Sequence, residues 1–296
     1  MSNSIASLRH KIHGAGDLKS VVRTMKAIAA SSIGQYENAV HSLDEYYRTV
    51  QLGLCACLRQ NPSSSAYAPQ TGQKKTGRIG AIIFGSDQGL VGQFNDVVVE
   101  FAVKSLGKLS GEKALWAVGE RIHSSLTEMD LSVMGNFILP NSMNAITPLV
   151  GRILSEIDLQ YNSGSITEVY LFYNRPQSGS IYTSVVDKLL PLDETWRRAL
   201  ATSRWPTPNL PEVINDEELT LRALVREYLF VTIFRACAES LASENASRLA
   251  AMQRAEKNIE ELQEDLNRTY HRLRQSDIDE ELFDVVSGFE ALRVSG

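Results

Sequence analysis

The feature that most constrains this chain is its C-terminal stretch, residues 215–292, which contains no proline and a single glycine, Gly288. Apolar and small residues recur along the stretch at helical spacing, which predicts one uninterrupted α-helix. At 1.5 Å per residue such a helix would be roughly 115 Å long, well above the mean for globular proteins. The pair Asn215 and Glu218 resembles a capping arrangement and predicts the start of the helix.

The N-terminal stretch, residues 5–58, also predicts a long helix, of roughly 80 Å. In its second half the apolar residues alternate spacings of three and four, the heptad pattern of a coiled-coil seam. These residues are Ile33, Tyr36, Val40, Leu43, Tyr47, Val50 and Leu54. Toward the start of the chain the same register becomes more polar and includes Lys19 and Lys26.

The two helices flank one compact region, so the sequence predicts that they pair as an antiparallel coiled coil. If Leu58 lies level with Asn215, facing residues have numbers that sum to about 273. This register brings together opposite charges: residues 1–35 carry five basic residues and one acidic residue, and residues 256–265 carry five acidic residues and one lysine. Each surface ion pair adds only ~0.2–1 kcal/mol, which is enough to favour one register.

The middle of the chain predicts a small Rossmann-like α/β domain with a mostly parallel sheet. Short apolar runs predict four strands, at residues 79–84, 114–118, 168–173 and 181–186, of which the last two form a hairpin. Helical patterns lie between them around residues 93–109, 120–129 and 144–161, and residues 189–211 predict an irregular connector. The predicted segments are an N-terminal helix (1–60), a linker (61–77), an α/β domain (78–211) and a C-terminal helix (212–296).

The C-terminal helix is predicted to extend about 20 residues beyond its partner, and this overhang stays apolar. Its three–four spacing continues through Ile278, Leu282, Val285, Phe289 and Leu292. An apolar stripe on an unpaired helix needs another surface to cover it. The sequence therefore predicts that this tip lies inside a partner.

Composition argues against several classes of protein. The net charge of −5 argues against nucleic-acid binding, and no apolar run approaches the ~20 residues of a membrane span, so no direct membrane insertion is expected. The start of the chain shows no signal-peptide pattern, and three cysteines without framework spacing fit a reducing compartment. His10 and His13 lack further ligands in sequence, so we predict no metal site. No G-x-S-x-G, H-E-x-x-H or C-x-x-C motif occurs, so we predict no cofactor and no catalytic residue.

One segment, residues 85–95, follows a predicted strand and precedes a predicted helix, where phosphate-binding loops occur. It reads GSDQGLVGQFN and matches neither glycine-rich nucleotide motif, since no lysine followed by serine or threonine comes after its last glycine. The favoured interpretation is a tight strand-to-helix turn. The alternative is a nucleotide-dependent enzyme that uses this loop.

Four stretches in collinear order carry a resemblance. Residues 24–31 read TMKAIAAS, 86–92 read SDQGLVG, 240–252 read SLASENASRLAAM, and 270–278 with 285–288 read YHRLRQSDI and VVSG. Together they resemble the gamma subunit of the rotary F-type ATP synthase over nearly the whole chain. The resemblance implies a central rotor shaft, one copy per complex, with no catalytic site of its own. Such a shaft couples ion-driven rotation to ATP synthesis or hydrolysis in the beta subunits.

The resemblance also implies partners: a hexamer of alternating alpha and beta subunits around the coiled coil, and the epsilon subunit and membrane c-ring at the α/β domain. The implied location is the cytoplasmic face of the bacterial inner membrane, peripheral through the Fo sector. By motif match, Met25 and Lys26 face the moving lever of a beta subunit, and Arg274 and Gln275 contact a catch loop. The residues implied to turn in an apolar bearing are Ile278, Leu282, Val285 and Phe289.

The sequence departs from the family pattern at several positions. Gln88 stands where arginine is common, Val91 where cysteine is frequent, Asp279 where threonine is usual, and Ser32 where lysine is common. These departures indicate a divergent branch, and the alternate ion-translocating F1Fo ATPases of some bacteria are our hypothesis for it. The alternative outside this family is a coiled-coil scaffold or adaptor protein with an α/β binding domain.

Overall fold

The computed structural model describes residues 4–60, 77–129, 131–209, 211–214 and 216–294, with side chains as far as residue 287. The predicted linker therefore lies outside the described residues except for Gly77. The chain divides into two compact units. The first contains Met1–Ile28 and Leu249–Gly296, and the second contains Ala29–Arg248.

Within the described residues, two long helices, four shorter helices and a five-stranded sheet make up the fold, with a short 3-10 turn (Met143–Ala145) before α4. The elements in chain order are α1 (Ile5–Gln60), β1 (Arg78–Phe84), α2 (Phe94–Leu106), β2 (Lys113–Val118), α3 (Glu120–Glu128), β3 (Val133–Phe137), α4 (Ile146–Asn162), β4 (Ile166–Gln177), β5 (Ser180–Leu190), α5 (Glu194–Ala201) and α6 (Glu217–Val294). The predicted fold class, two long terminal helices and a central α/β domain, is confirmed.

Helix α6 begins two residues later than the predicted cap. Asp216 caps the helix, because its Oδ1 accepts hydrogen bonds from the backbone N–H groups of Glu218 (2.9 Å) and Leu219 (3.1 Å). A carboxylate at this position satisfies free N–H groups of the first turn and also interacts favourably with the helix dipole. The predicted cap by Asn215 and Glu218 is therefore wrong, and Asn215 itself lies outside the described residues.

The sheet has the strand order β3-β2-β1-β4-β5, in which β5 alone is antiparallel to its neighbour. The four predicted strands are present, and β4 and β5 form the predicted hairpin. Strand β3 was missed because VMGNF is short and alternates between half-buried and exposed positions at the edge of the sheet. Parallel pairing with one antiparallel edge confirms the mostly parallel sheet.

The predicted irregular connector, residues 189–211, is wrong in part. Strand β5 continues to Leu190, and residues 194–201 form α5. Asp193 starts this helix, since its Oδ1 accepts a hydrogen bond of 2.8 Å from the N–H of Trp196. This short helix contains Trp196, Arg197 and Arg198, which suggested an irregular segment. Trp196 Nε1 donates a hydrogen bond to the Tyr228 hydroxyl on α6 (3.1 Å).

Each face of the sheet packs on a different set of helices. On one face Ala81 and Ile83 of β1 contact an apolar cluster with α2 and α3. On the other face Ile82 and Phe84 belong to a larger cluster. That cluster joins the sheet to α4 and to the parts of α1 and α6 that lie in the second unit. Its fully buried members on the helices are Leu54, Ile146, Val150, Ile153, Leu229, Ile233, Cys237 and Ala238.

Within each unit, α1 and α6 contact each other in antiparallel order, as predicted. In the first unit, facing residues sum to 279 for both Lys19 with Glu260 and Arg23 with Glu256. In the second unit, the rings of Tyr47 and Tyr228 lie 5.7 Å apart, so the sum is 275. The predicted sum of about 273 is met in the second unit by Tyr46 and Glu227, whose side chains are hydrogen-bonded, and it is exceeded by six in the first unit.

We predict that the contact at Gly53 limits side-chain size in the helix pair. A Cβ added at Gly53 would lie 3.0 Å from Leu224 Cδ2 on α6, whereas one added at Gly34 meets nothing within 4 Å. Gly53→Leu should lower the free energy of unfolding by about 1–3 kcal/mol through overpacking. Gly34→Leu, the matched control, should leave it unchanged or raise it by up to ~1 kcal/mol through helix propensity. Equal effects of the two substitutions in denaturant titrations would contradict this packing.

Candidate partner-binding surfaces

The loop between β1 and α2 uses its polar groups within the chain. The backbone N–H of Ser86 donates to Asn95 Oδ1 (3.0 Å), and Asn95 Nδ2 donates to Ser86 Oγ (2.9 Å). The two carboxylate oxygens of Asp87 accept hydrogen bonds from the N–H groups of Glu120 (2.9 Å) and Leu139 (3.2 Å). A carboxylate occupies the loop, and the Ser86 N–H already has an internal acceptor. The geometry therefore favours the interpretation as a structural turn and disfavours a phosphate-binding site.

The same loop is bound to α6. Ser247 Oγ donates a hydrogen bond of 2.6 Å to the carbonyl oxygen of Val91. The two departures from the family pattern in this loop fit this arrangement, since Gln88 is exposed and Val91 is buried at 2% exposure. The loop therefore connects the sheet to the long C-terminal helix, and its unusual residues leave that connection intact.

One face of α1 in the first unit carries exposed apolar side chains. Leu18, Val21 and Ile28 are 58%, 56% and 61% exposed, and Met25 is half-buried. Their spacing of three, four and three residues places all four along one face of the helix. We call this surface the outer stripe. Of its members only Met25 is predicted as a contact, by its match to the family motif. The predicted seam lies one residue further along the chain and does not include the other three.

Beside the outer stripe, basic residues of α1 bind acidic residues of α6. Arg23 Nε lies 2.8 Å from Glu256 Oε1, Lys26 Nζ bonds to Glu256 Oε2, and Lys19 Nζ lies 2.9 Å from Glu260 Oε1. The charge complementarity predicted between these segments is confirmed. The ammonium of Lys26, predicted to face a beta subunit, is bound here by Glu256, and its contact with a partner stays a prediction.

The C-terminal part of α6 exposes a second apolar surface. Tyr270 is the last α6 residue that the described hydrogen bonds and ion pairs join to α1, through Arg9 Nη2 at 2.8 Å. Beyond it Ile278, Leu282 and Val285 are 53%, 62% and 70% exposed. We call residues 277–287 the apolar tip. The side chain of Phe289 lies outside the described residues.

Two further apolar side chains widen the exposed surface of the tip, and two polar side chains lie at its base. Phe283 and Val286 are 69% and 48% exposed, and both lie beside the predicted stripe, not on it. Arg274 and Gln275 at the base of the tip are exposed, and neither has a hydrogen bond or ion pair among the described contacts. Phe283 and Val286 are not predicted by a strict three–four template, because such a template excludes neighbouring positions.

Among the described residues no three His, Cys, Asp or Glu side chains are grouped so that they could hold a metal ion. Over the same residues, no helix combines the length and apolar character that a membrane crossing requires. The surfaces that stand out are thus the outer stripe and the apolar tip, two apolar helix faces suited to contact with other protein chains.

Comparison with known proteins identifies the family. A family model described as ATP synthase matches residues 4–292. The chain belongs to the ATP synthase family. It is 26% identical to the ATP synthase gamma chain of Polynucleobacter necessarius over 98% of this chain and 99% of the relative. It is also 26% identical to the gamma chain of Salinibacter ruber over 99% of both chains.

Solved structures of ATP synthases share the fold. A chain of the Euglena gracilis mitochondrial ATP synthase, from an OSCP/F1/c-ring structure in rotational state 3, matches with a TM-score of 0.66 at 15% identity, over 98% of this chain and 95% of that chain. A chain of the Tetrahymena thermophila central stalk/c-ring structure matches with a TM-score of 0.55 at 23% identity, over 79% of this chain and 99% of that chain. The fold predicted from the sequence is the fold of these chains.

These matches confirm the predicted resemblance to the ATP synthase gamma subunit, and with it the role of central rotor shaft. The gamma subunit of an ATP synthase is in general a non-catalytic subunit. Its work is therefore mechanical, and the relevant sites are the surfaces at which it touches its neighbours.

We predict that the contact between α1 and α6 in the first unit weakens in acid. Hydrogen bonds from Lys26 and Arg23 lower the pKa of Glu256 from 4.5 to about 2. Because the pKa is lower in the folded chain, ionised Glu256 stabilises the fold above pH 4.5, and this contribution is lost as the pH falls toward 2. Thermal unfolding should show Glu256→Gln less stable than the unsubstituted chain at pH 6, with the difference shrinking below pH 4.5.

The matched control is Glu261→Gln, which removes the same charge from an exposed glutamate whose ion pair, at 3.8 Å, is with Lys257 on its own helix. This control should change the midpoint little at any pH, because exposed pairs contribute little. A difference for Glu256→Gln that stays constant from pH 6 to pH 2.5 would contradict the role of its ionisation.

Proposed function

We propose that the paired helices of this gamma subunit turn inside a hexamer of alternating alpha and beta subunits. In this role the chain couples ion-driven rotation to ATP synthesis or hydrolysis in the beta subunits. The observation that carries the proposal is the apolar tip, whose large side chains are half or more exposed at Ile278, Leu282, Phe283 and Val285. The solved neighbours are described as rotor and central-stalk chains, which supports the same role.

The distribution of apolar side chains on the tip favours an enclosing partner. Successive helix positions lie about 100° apart, so Leu282 and Phe283 point in different directions around the axis. A flat partner would cover one of these directions and leave the other in water. A sleeve of surrounding subunits would bury both, at ~1.5–3 kcal/mol for each large side chain fully covered. Apolar contacts are also non-directional, so they hold a turning shaft without fixing its angle.

The polar residues at the base of the tip have a different part in the proposal. Arg274 and Gln275 are exposed donors without a described bond, and we propose that they contact a catch loop of a beta subunit. An arginine there can form a charge-assisted, forked hydrogen bond, which is directional. Such a bond would form at one angle of rotation and break at others, unlike the apolar contacts of the tip.

On α1, we propose that Met25 contacts the moving lever of a beta subunit as part of the outer stripe. Leu18, Val21 and Ile28 extend this contact along the helix, because they share its exposed face. Lys26 is proposed to act beside them. Its bond to Glu256 must be exchanged for a bond to the lever, or the lever must approach the Lys26–Glu256 pair as a unit.

At the other end, the α/β domain of residues 78–211 is proposed to bind the epsilon subunit and the membrane c-ring, with one copy of the chain per complex. Residues 1–60 and 212–296 form the shaft in this division, and 61–77 link the first helix to the domain. We place the complex at the cytoplasmic face of a bacterial inner membrane, peripheral through Fo. The departures at Gln88, Val91 and Asp279 make an alternate ion-translocating ATPase our hypothesis for the branch.

Affinity purification of the tagged chain with mass spectrometry tests the proposal. We expect alpha- and beta-type ATPase subunits to be recovered with the unsubstituted chain. The triple variant Ile278→Ser, Leu282→Ser and Val285→Ser should recover at least about tenfold less, since the loss of apolar burial exceeds the ~1.4 kcal/mol that a tenfold change requires.

The matched control replaces three exposed acidic residues of the same turns, Glu280, Glu281 and Asp284, with serine. It should retain the alpha and beta subunits, because it leaves the apolar side chains in place. If the unsubstituted chain recovers neither alpha- nor beta-type subunits, the proposed function is wrong. An adaptor would instead be recovered with partners of another class.

A further inference from the structure

We infer that Arg175 is a positioning residue that ties the β4–β5 hairpin to both long helices and so transmits torque between the α/β domain and the shaft. The inference rests on the proposed function, because torque is meaningful only if the chain is a rotor. Its physical basis lies wholly within the second unit, at the side of the sheet where β5 is the edge strand.

The guanidinium of Arg175 bridges three elements. Its Nε lies 2.8 Å from Glu239 Oε2 on α6, and its Nη2 lies 3.2 Å from Asp187 Oδ2 on β5. The same Nη2 also donates to the hydroxyl of Tyr173, which in turn donates to Asp187 Oδ2 at 2.8 Å. The hydrogen bond and charge of Glu239, together with Tyr173, outweigh the effect of burial and raise the pKa of Arg175, so it stays charged.

The network continues from α6 to α1. Glu239 Oε1 lies 3.4 Å from Arg235 Nε, one helical turn earlier on α6. Arg235 Nη2 binds Asp44 Oδ1 on α1, and the Arg235 guanidinium lies 5.8 Å from the centre of the Tyr47 ring. Two arginines and three carboxylates thus form one connected path from β5 through β4 and α6 to α1.

Glu239 is the centre of this path, and it is the residue for which the loss of a partner is most destabilising. It is 9% exposed, and its two oxygens face the two arginines. A buried carboxylate is tolerated because it is paired, and removing one partner leaves a charge in a poorly hydrated place. The paired Glu239 therefore holds the Arg175 guanidinium against α6, and with it the hairpin to which Arg175 belongs.

A cavity of about 270 Å³ lies against the network. Its walls include Val40 and Ala242 from the two helices and Pro176 from the hairpin. Apolar packing between hairpin and helices is thus incomplete at this place, and apolar contacts resist sliding weakly because they are non-directional. The charge-assisted hydrogen bonds, which are directional, then carry the contact.

This placement has a mechanical consequence in the assembled motor. A torque applied to the α/β domain must cross the contacts between the sheet and the two helices. The apolar cluster on the face of the sheet supports the load normal to that face, and the Arg175 network opposes displacement of the hairpin along the helices. Loosening the network should therefore make the joint between domain and shaft more compliant.

Single-molecule rotation of the assembled complex tests this directly. With the hexamer fixed to a surface and a bead on the α/β domain, the angular variance of the bead during a catalytic pause reports compliance. Arg175→Leu should raise the variance about twofold, because the bridge to Glu239 and Asp187 is lost. Arg175→Lys should give an intermediate variance, since lysine keeps the charge but not the forked donor.

The matched control is Arg198→Leu, which removes an exposed arginine of α5 whose ion pair is with Glu194 on the same helix. It should leave the variance unchanged. Equal variances for Arg175→Leu and Arg198→Leu would overturn the inference.

A second measurement separates this inference from the proposed function. Amide hydrogen exchange of the purified chain should rise in the β4–β5 hairpin of Arg175→Leu and stay unchanged there in Arg198→Leu. If the chain recovers no ATPase subunits but the hairpin still loosens, the proposed function fails while the tie between hairpin and helices stands. Unchanged exchange in the hairpin would overturn the tie itself.

Discussion

One apolar cluster holds the second unit together, and the rest of that unit depends on it. It joins the face of the sheet that carries Ile82 and Phe84 to Leu54 on α1 and Leu229 on α6. All four side chains are buried to 1% exposure or less. Because the same cluster contains residues of both long helices and of the sheet, neither helix can separate from the domain without exposing a common core. This is the property that a shaft mounted on a domain requires.

The residues that resemble the family most specifically also show a physical reason for their character. In the stretch 240–252, Ser240, Ser243 and Ser247 are buried on α6, where small side chains allow close approach of neighbouring elements. Glu244 is buried among them and binds Arg248 at 2.6 Å. Burial raises the pKa of Glu244, which its pairing with Arg248 opposes. The polar signature is thus largely internal, whereas the outer stripe and the apolar tip, which are proposed to meet partners, are apolar.

Much of the fold could be predicted from the sequence because its strongest signals are long and periodic. The two helices, their antiparallel pairing and the attraction of Arg23 for Glu256 follow from heptads and from charge. The strand β3 and the helix α5 could not be predicted, since VMGNF is too short and polar to stand out and α5 is only eight residues long with Trp196 and two arginines. The predicted register holds for Tyr46 with Glu227 in the second unit and is exceeded by six residues at Lys19 with Glu260 in the first.

The candidate site was predictable in part, for a related reason. A template for one buried seam predicts Ile278, Leu282 and Val285. Met25 is predicted only from the resemblance to the family motif. The template overlooks Leu18, Val21 and Phe283, because a helix that is apolar on more than one face departs from the pattern of a simple coiled coil. Arg175 was not predicted, since its partner Asp187 lies on the other strand of the hairpin and Glu239 lies 64 residues further along the chain.

Other subunits are proposed to enclose the apolar tip, and site-specific photo-cross-linking tests this enclosure most directly. A photoreactive residue placed at position 282 in the native complex should form adducts with both alpha- and beta-type ATPase subunits, because rotation presents the tip to each in turn. Adducts confined to this chain itself, or to proteins outside the ATPase, would contradict the account.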